Sequence, residues 1–65
     1  MTKIDKTRTR TYTTKHGQRV VCIPLGDNKF SLEYIDDEDR VVKCRELPLR
    51  TVQDIATLGK WEETT

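Results

Sequence analysis

A chain of 65 residues forms one domain at most, and a domain of this size buries only about 60% of the surface that its unfolded chain exposes. Its residues are 34% hydrophobic and 35% charged, against about 25% charged in average globular proteins. So small a core leaves little room for an enclosed substrate pocket, which argues against an enzyme. No apolar run reaches the length of about 18 residues that a membrane helix needs, and no apolar segment follows the charged N-terminus as in a secretory signal. We therefore expect a cytoplasmic protein without a membrane partner.

The net charge of +1 conceals a strong separation of charge along the chain. Residues 1–19 contain six Lys or Arg and one Asp, whereas residues 27–39 contain six Asp or Glu and one Lys. Such a basic segment followed by an acidic one indicates a surface for charged partners.

The first predicted strand covers residues 7–14, which read TRTRTYTT. Its residues alternate with period two, but neither face is apolar. We therefore predict an exposed edge strand, on which Tyr12 is exposed and the arginines discourage aggregation. Residues 15–18 form a turn. Residues 19–25 are apolar on both faces, as expected of a central strand, and Pro24 marks a bulge or the end of regular pairing because it has no N–H group.

Two further hairpins follow. Residues 26–28 are a turn signal, and residues 29–35 alternate well enough to predict a strand. The acidic residues 36–39 form the next turn, and residues 40–45 form the partner strand. Three consecutive hairpins predict an antiparallel meander. From the strand at residues 29–35, the side chains expected to point inward are Phe30, Leu32 and Tyr34.

The C-terminal part predicts one short helix. Residues 46–49 read as a connector, and Thr51 has the position of an N-cap. The helix should cover residues 52–58 and end at Gly59 as its C′ residue. An apolar stripe of Val52, Ile55, Ala56 and Leu58 is too short to hold an isolated helix, so the helix must pack on the sheet, with Trp61 following as a last core residue.

The predicted fold class is mainly β, a small α+β domain. It is a four-stranded antiparallel sheet or a partly open SH3-like barrel with one short C-terminal helix. Residues 1–6 would be a flexible arm, residues 7–61 the domain and residues 62–65 a tail. In element order the chain is similar to the small SH3-like chromatin proteins of archaea, although those are lysine-rich and share no motif with it. That resemblance implies a fold and says little about function.

The favoured functional hypothesis is a non-enzymatic regulatory protein of phage or plasmid type that binds nucleic acid. We call its expected contact surface the basic ribbon. Arginine offers a bidentate fork to phosphate or guanine, and an exposed tyrosine could stack on bases. The basic ribbon comprises Lys6, Arg8, Arg10, Tyr12, Lys15 and Arg19. The same charges would also suit a solvated edge strand, or a ribbon that pairs with the acidic residues of its own chain.

The alternative hypothesis is a module that inhibits or adapts a larger protein. It would use the exposed edge strand for β-augmentation, as a monomer or an edge-strand dimer, or it would use the acidic turn, which we define as Asp36, Asp37, Glu38 and Asp39. That turn lacks the spacing of a calcium-binding loop.

The remaining candidates for chemistry are few. His16 has no nucleophile arranged beside it by a motif, so we interpret it as a turn residue. Cys22 and Cys44 are expected to be reduced and packed in the sheet, with a disulfide as the lesser alternative. Residues 51–56 resemble the start of the first helix in repressor-type helix-turn-helix domains, but only KWEETT follows Gly59, too short for a recognition helix. We predict no catalytic residues, no metal site and no cofactor.

Overall fold

The computed structural model describes residues 3–64. Five strands and one helix form one mainly β domain of the small α+β class, as predicted. The elements are β1 (Arg10–Thr13), β2 (Arg19–Gly26), β3 (Lys29–Ile35), β4 (Val41–Pro48), α1 (Leu49–Leu58) and β5 (Glu62–Glu63). Over residues 3–64, no helix combines the length and the apolar character needed to cross a membrane.

All five strands belong to one antiparallel sheet with the order β4-β3-β2-β1-β5. The three predicted hairpins from β1 to β4 are confirmed. The sheet is not closed, so the open form of the expected fold is found and the barrel is not. The fifth strand was not predicted. It lies beside β1, so that β4 and β5 form the two edges.

The strand register separates the sheet into two faces. The face that α1 covers, here called the helix face, carries the buried residues of β1, β2 and β3. Helix α1, the N-terminal segment and the residue before β5 complete the core, and none of the buried side chains among residues 3–64 is charged. The core residues are Ile4, Tyr12, Val20, Cys22, Phe30, Leu32, Val52, Ala56 and Trp61.

Strand β2 is central, as predicted, with β1 on one side and β3 on the other. Its helix face is buried, whereas Val21 and Ile23 on the opposite face, here called the open face, are only partly covered. The predicted irregularity at Pro24 is confirmed, because the register with β3 shifts between Pro24 and Gly26. Leu25 lies in this bulge and is 49% exposed.

The prediction for residues 7–14 was wrong in three respects. The strand is confined to Arg10–Thr13, and it is not an edge, since Tyr12 and Thr13 pair with β5 on the side away from β2. Tyr12 is fully buried instead of exposed. Its ring packs 6.0 Å from that of Trp61 between ring centroids, and its hydroxyl accepts a hydrogen bond from the backbone N–H of Asp5 at 3.3 Å.

The N-terminal segment is anchored on the domain at Ile4. Ile4, placed by the sequence in a flexible arm, is a core residue, and its N–H donates to Oε1 of Gln53 at 2.9 Å. Met1 and Thr2 lie outside the described residues. At the other end of the chain, the expected tail instead forms β5 over Glu62–Glu63.

Helix α1 begins earlier than predicted. Strand β4 continues through the expected connector to Pro48, which takes the N-cap position in an extended conformation without a side-chain hydrogen bond. The expected N-cap, Thr51, lies inside the helix. The first helical N–H, that of Leu49, donates to the carbonyl of Asn28 in the β2–β3 turn at 2.6 Å. The predicted end at Leu58 is confirmed, but the Leu58 side chain is 76% exposed and contributes nothing to the packed stripe.

Candidate functional site

The arginines of the basic ribbon are largely engaged by carboxylates of the same chain. Arg10 lies on the helix face, opposite Cys22. Its guanidinium forms ion pairs with Asp5 (Nε to Oδ2, 3.0 Å) and with Glu63. Arg10 therefore joins β1 to the N-terminal segment and to β5, and its side chain is only 21% exposed. These contacts give it a structural role.

Arg19 connects the basic ribbon to the acidic turn. Its guanidinium donates to the carbonyl of Asp36 at 2.8 Å and pairs with the carboxylate of Asp39 at 2.6 Å. The separated charges of the sequence thus pair with each other at this point, which was one of the three possibilities considered for the ribbon. The pairing reduces the positive charge that this end of the ribbon can offer to a phosphate.

The other members of the ribbon do not form a continuous surface with an exposed aromatic ring. Lys6, Arg8 and Lys15 are exposed. Arg8 lies 3.6 Å from Asp5, and Lys15 Nζ donates to the carbonyl of Leu58 at 3.4 Å. Tyr12, expected to stack on bases, is buried in the hydrophobic core. Binding of nucleic acid by the ribbon stays a prediction, and its stacking residue is not accessible.

The acidic turn is held by its own hydrogen bonds. The Asp36 carboxylate accepts from the N–H groups of Glu38 and Arg40, both at 2.9 Å, and from the Arg40 side chain at 3.3 Å. The backbone N–H of Arg40 is the main cause that lowers the pKa of Asp36. Arg40 also pairs with Glu38 at 2.7 Å. Because these contacts occupy the oxygens of Asp36, the turn offers a partner mainly Asp37 and the outer oxygens of its neighbours.

The longest free strand edge in the described part of the chain is the outer edge of β4. This strand has eight residues and pairs only with β3. Almost all of it is exposed, including Val41 (53%) and Val42 (58%). The opposite edge, β5, has two residues. An exposed row of alternating N–H and C=O groups is a template for another strand.

The side chains of β4 differ between the two faces of the sheet. Lys43 and Arg45 lie on the helix face, opposite Tyr34 and Leu32. Lys43 Nζ stands 5.9 Å from the centroid of the Tyr34 ring, a cation–π contact. Neither cation forms an ion pair among residues 3–64. The edge therefore presents two positive charges at alternate positions on one face.

The sequence predicted β4 as a strand but did not predict that it forms an accessible edge of the sheet. The signal was present, since the last strand of a meander lies at the end of the sheet unless a later segment covers it. What the pattern could not indicate was the coverage of β1 by β5, because Glu62 and Glu63 have no strand pattern of their own.

The residues considered for metal or nucleophilic chemistry lie apart. Cys22 is buried on the helix face and Cys44 is exposed on the open face, and both are free. The expectation of a packed cysteine is therefore confirmed for Cys22 and wrong for Cys44. His16 lies in the exposed turn after β1, as predicted. Within residues 3–64, no group of three or more His, Cys, Asp or Glu side chains is placed to hold a metal ion.

Comparisons with protein families, with curated proteins and with solved structures find no match to this chain.

Proposed function

We propose that this protein is a binding module that captures an extended, acidic segment of a larger protein along the free edge of β4. The observation that supports this proposal is the asymmetry of the sheet. One edge consists of two residues, whereas the other presents eight residues paired on one side only. In β-augmentation the backbone hydrogen bonds of such an edge supply affinity, and alternate side chains supply specificity.

Charge selects the kind of strand that fits. An added strand would place every second side chain on the helix face, next to Lys43 and Arg45. Carboxylates at alternate positions of the partner would face these two cations, and opposite charges across neighbouring strands contribute about 0.2–1 kcal/mol each. A strand with basic residues at those positions would be repelled. The partner is therefore an extended segment with acidic residues spaced two apart.

The same charges disfavour a dimer through this edge. In an antiparallel pairing of two β4 strands about a two-fold axis at Cys44, Lys43 of each copy faces Arg45 of the other. An axis at Lys43 or Arg45 sets that cation against itself. Because like charges directly opposite are destabilising, the edge accepts a different chain more readily than a second copy of itself.

Nucleic-acid binding, the favoured hypothesis from the sequence, has weaker support. Arg10 and Arg19 are paired with carboxylates of the chain, and Tyr12 is buried. The cations of β4, by contrast, are accessible and adjoin unpaired backbone. The proposed binding surface is therefore β4, which β3 and β2 separate from the ribbon strand β1.

A peptide titration followed by NMR on the ¹⁵N-labelled protein tests the proposal. The probe is an eight-residue peptide of alternating valine and glutamate with blocked ends; its counterpart has lysine in place of glutamate. We expect shifts confined to β4 and β3 with the acidic peptide, together with slower exchange of the outward N–H groups of β4. The basic peptide should bind at least about fivefold more weakly.

Two matched variants separate edge binding from general attraction. Arg45→Glu should abolish the preference between the peptides, because it leaves Lys43 beside a carboxylate, whereas Arg50→Glu, which makes the same charge change on α1, should leave the preference unchanged. Equal effects of both variants, or shifts from the acidic peptide that centre on β1 and β5, would contradict the proposal. Failure of the acidic peptide to bind at millimolar concentration would remove β4 as a recognition edge for acidic strands.

A further inference from the structure

A cationic cleft lies at the end of the domain where three segments of the chain meet. The N-terminal segment, the β2–β3 turn and the start of α1 enclose a volume of about 540 Å³. Its charged walls are Lys3, Lys6 and Arg50, and its apolar walls are Ile4, Pro48 and Leu49. None of these residues belongs to the basic ribbon except Lys6, and the recognition edge proposed above touches the cleft only at Pro48.

Hydrogen bonds hold the three segments together around the cleft. Ile4 N–H donates to Oε1 of Gln53 at 2.9 Å, which fixes the N-terminal segment on α1. Leu49 N–H donates to the carbonyl of Asn28 at 2.6 Å, which fixes the turn on the first residue of α1. Asn28 and Gln53 also line the cleft. The walls are thus joined to the core before any ligand binds, as in most small-molecule sites.

The charge of the cleft has one sign. Among the described residues that line the cleft, three have cationic side chains and none is a carboxylate. Within residues 3–64, none of these three cations has a carboxylate within ion-pairing distance. Elsewhere in the domain, Arg8, Arg10, Arg19 and Arg40 all lie near an acidic partner. The cleft therefore combines uncompensated positive charge with an apolar wall.

We propose that this cleft binds a small phosphorylated molecule, with its phosphate among Lys3, Lys6 and Arg50 and its non-phosphate body against Pro48 and Leu49. A phosphate monoester carries a charge of about −1.5 to −2 at neutral pH and three strong acceptor oxygens, which suits three cationic donors better than a single carboxylate does. A volume of about 540 Å³ lies within the roughly 300–1,000 Å³ of ligand pockets and far exceeds a phosphate group alone. The body of the ligand accounts for the rest.

The test uses adenosine monophosphate as the probe, with adenosine and inorganic phosphate as its two halves, in NMR titrations of the ¹⁵N-labelled full chain at low and moderate salt. We expect saturable shifts at Ile4, Asn28, Leu49 and Gln53 with the monophosphate. Each half alone should bind at least about tenfold more weakly. Arg50→Gln should weaken binding of the monophosphate by about tenfold or more, the scale of one charge-assisted hydrogen bond.

The matched control is Lys60→Gln, which removes one exposed cation outside the cleft and should leave the affinity unchanged. Equal losses in Lys60→Gln and Arg50→Gln would overturn the proposal in favour of diffuse attraction. So would inorganic phosphate or adenosine binding as tightly as the monophosphate. A mixed-sequence single-stranded oligonucleotide that shifts residues across the surface, while the monophosphate fails to saturate, would replace the cleft with a nucleic-acid surface.

Discussion

The indole of Trp61 packs directly on the backbone of Gly59. A Cβ atom at Gly59 would lie 2.8 Å from Nε1 of Trp61 and 3.0 Å from the carbonyl oxygen of Ile55. Gly59 itself has φ −83°, a conformation open to any residue. Because Gly59 has no side chain, the indole of Trp61 can approach the backbone closely. The indole can then enter the core beside Tyr12.

Gly59→Ala should destabilise the fold by about 1–2 kcal/mol. The added methyl group forces the indole or the helix end to move, at a cost of about 1–3 kcal/mol, and the stiffer unfolded chain offsets only about 0.4–1 kcal/mol of it. Urea denaturation followed by the fluorescence of Trp61, the single tryptophan, measures the change. Gly17→Ala is the control, since its Cβ would meet nothing within 4 Å; it should cost stability through its φ of +81° without altering native emission. An unchanged midpoint in Gly59→Ala would contradict this account of the packing.

Lys60→Gly should stabilise the protein by about 0.5–1 kcal/mol. Lys60 has φ 52° and takes the left-handed position of a Schellman motif, in which its N–H donates to Thr57 and that of Trp61 donates to Ala56. A left-handed conformation costs an L-residue about 1–2 kcal/mol, which exceeds the entropy cost of glycine. Lys60→Ala removes the same charge without relieving the strain and should give no gain in thermal unfolding. An equal gain in stability in both variants would show that removal of the Lys60 charge, and not relief of backbone strain, causes it.

These two residues also show where sequence patterns are sufficient and where they are not. The end of α1 at Leu58 followed from Gly59, because glycine is common just beyond a helix. The pattern placed Gly59 in the left-handed position, whereas the structure puts Lys60 there. The difference arises because Trp61, two residues later, needs the space at Gly59, and that need depends on the tertiary position of the indole.

The same dependence on distant segments limited the prediction of the site. Strands β2 and β3, and the turns that join them, are specified by local alternation and turn residues, and these predictions are confirmed. The burial of Tyr12 depends on Trp61, which packs against it from the other end of the chain, so its flanking threonines gave no sign of burial. The accessible edge is β4 because β5 covers β1, a relationship that no local pattern encodes.

Asp5→Asn should reduce the loss of stability on acidification. The Thr7 hydroxyl and N–H donate to Asp5 at 2.5 and 2.8 Å, and these bonds, with the Arg10 side chain, hold the pKa of this carboxyl well below its usual range. Because the pKa is lower in the folded state, the stabilisation is present above the unfolded value of 3.8 and is lost as the pH falls through the folded value. Melting temperatures from pH 7 to pH 2 should therefore fall less steeply in the variant, from a lower starting point at pH 7.

Asp54→Asn is the matched control for this acid response. Asp54 is an exposed carboxylate on α1 without an ion pair among residues 3–64, so its variant should follow the wild-type curve. Asp36, whose pKa is also lowered by hydrogen bonds, accounts for acid sensitivity that remains in Asp5→Asn. A wild-type slope in Asp5→Asn would show that the contacts around Asp5 do not stabilise the folded state.

The two cysteines should differ sharply in their rates of reaction with an aromatic disulfide reagent that releases a coloured thiolate. Cys44 is exposed, whereas burial beside Leu32 and Val20 raises the pKa of Cys22 to about 12 and shields its sulfur. The thiolate is the reacting species. The native protein at pH 8 should therefore release one equivalent of the coloured thiolate rapidly, and a second equivalent only in denaturant. Cys44→Ser should abolish the rapid phase and leave the second. Rapid labelling of Cys44→Ser at the rate of the unfolded chain would instead show that the helix face opens, and that α1 and the N-terminal segment do not keep Cys22 covered.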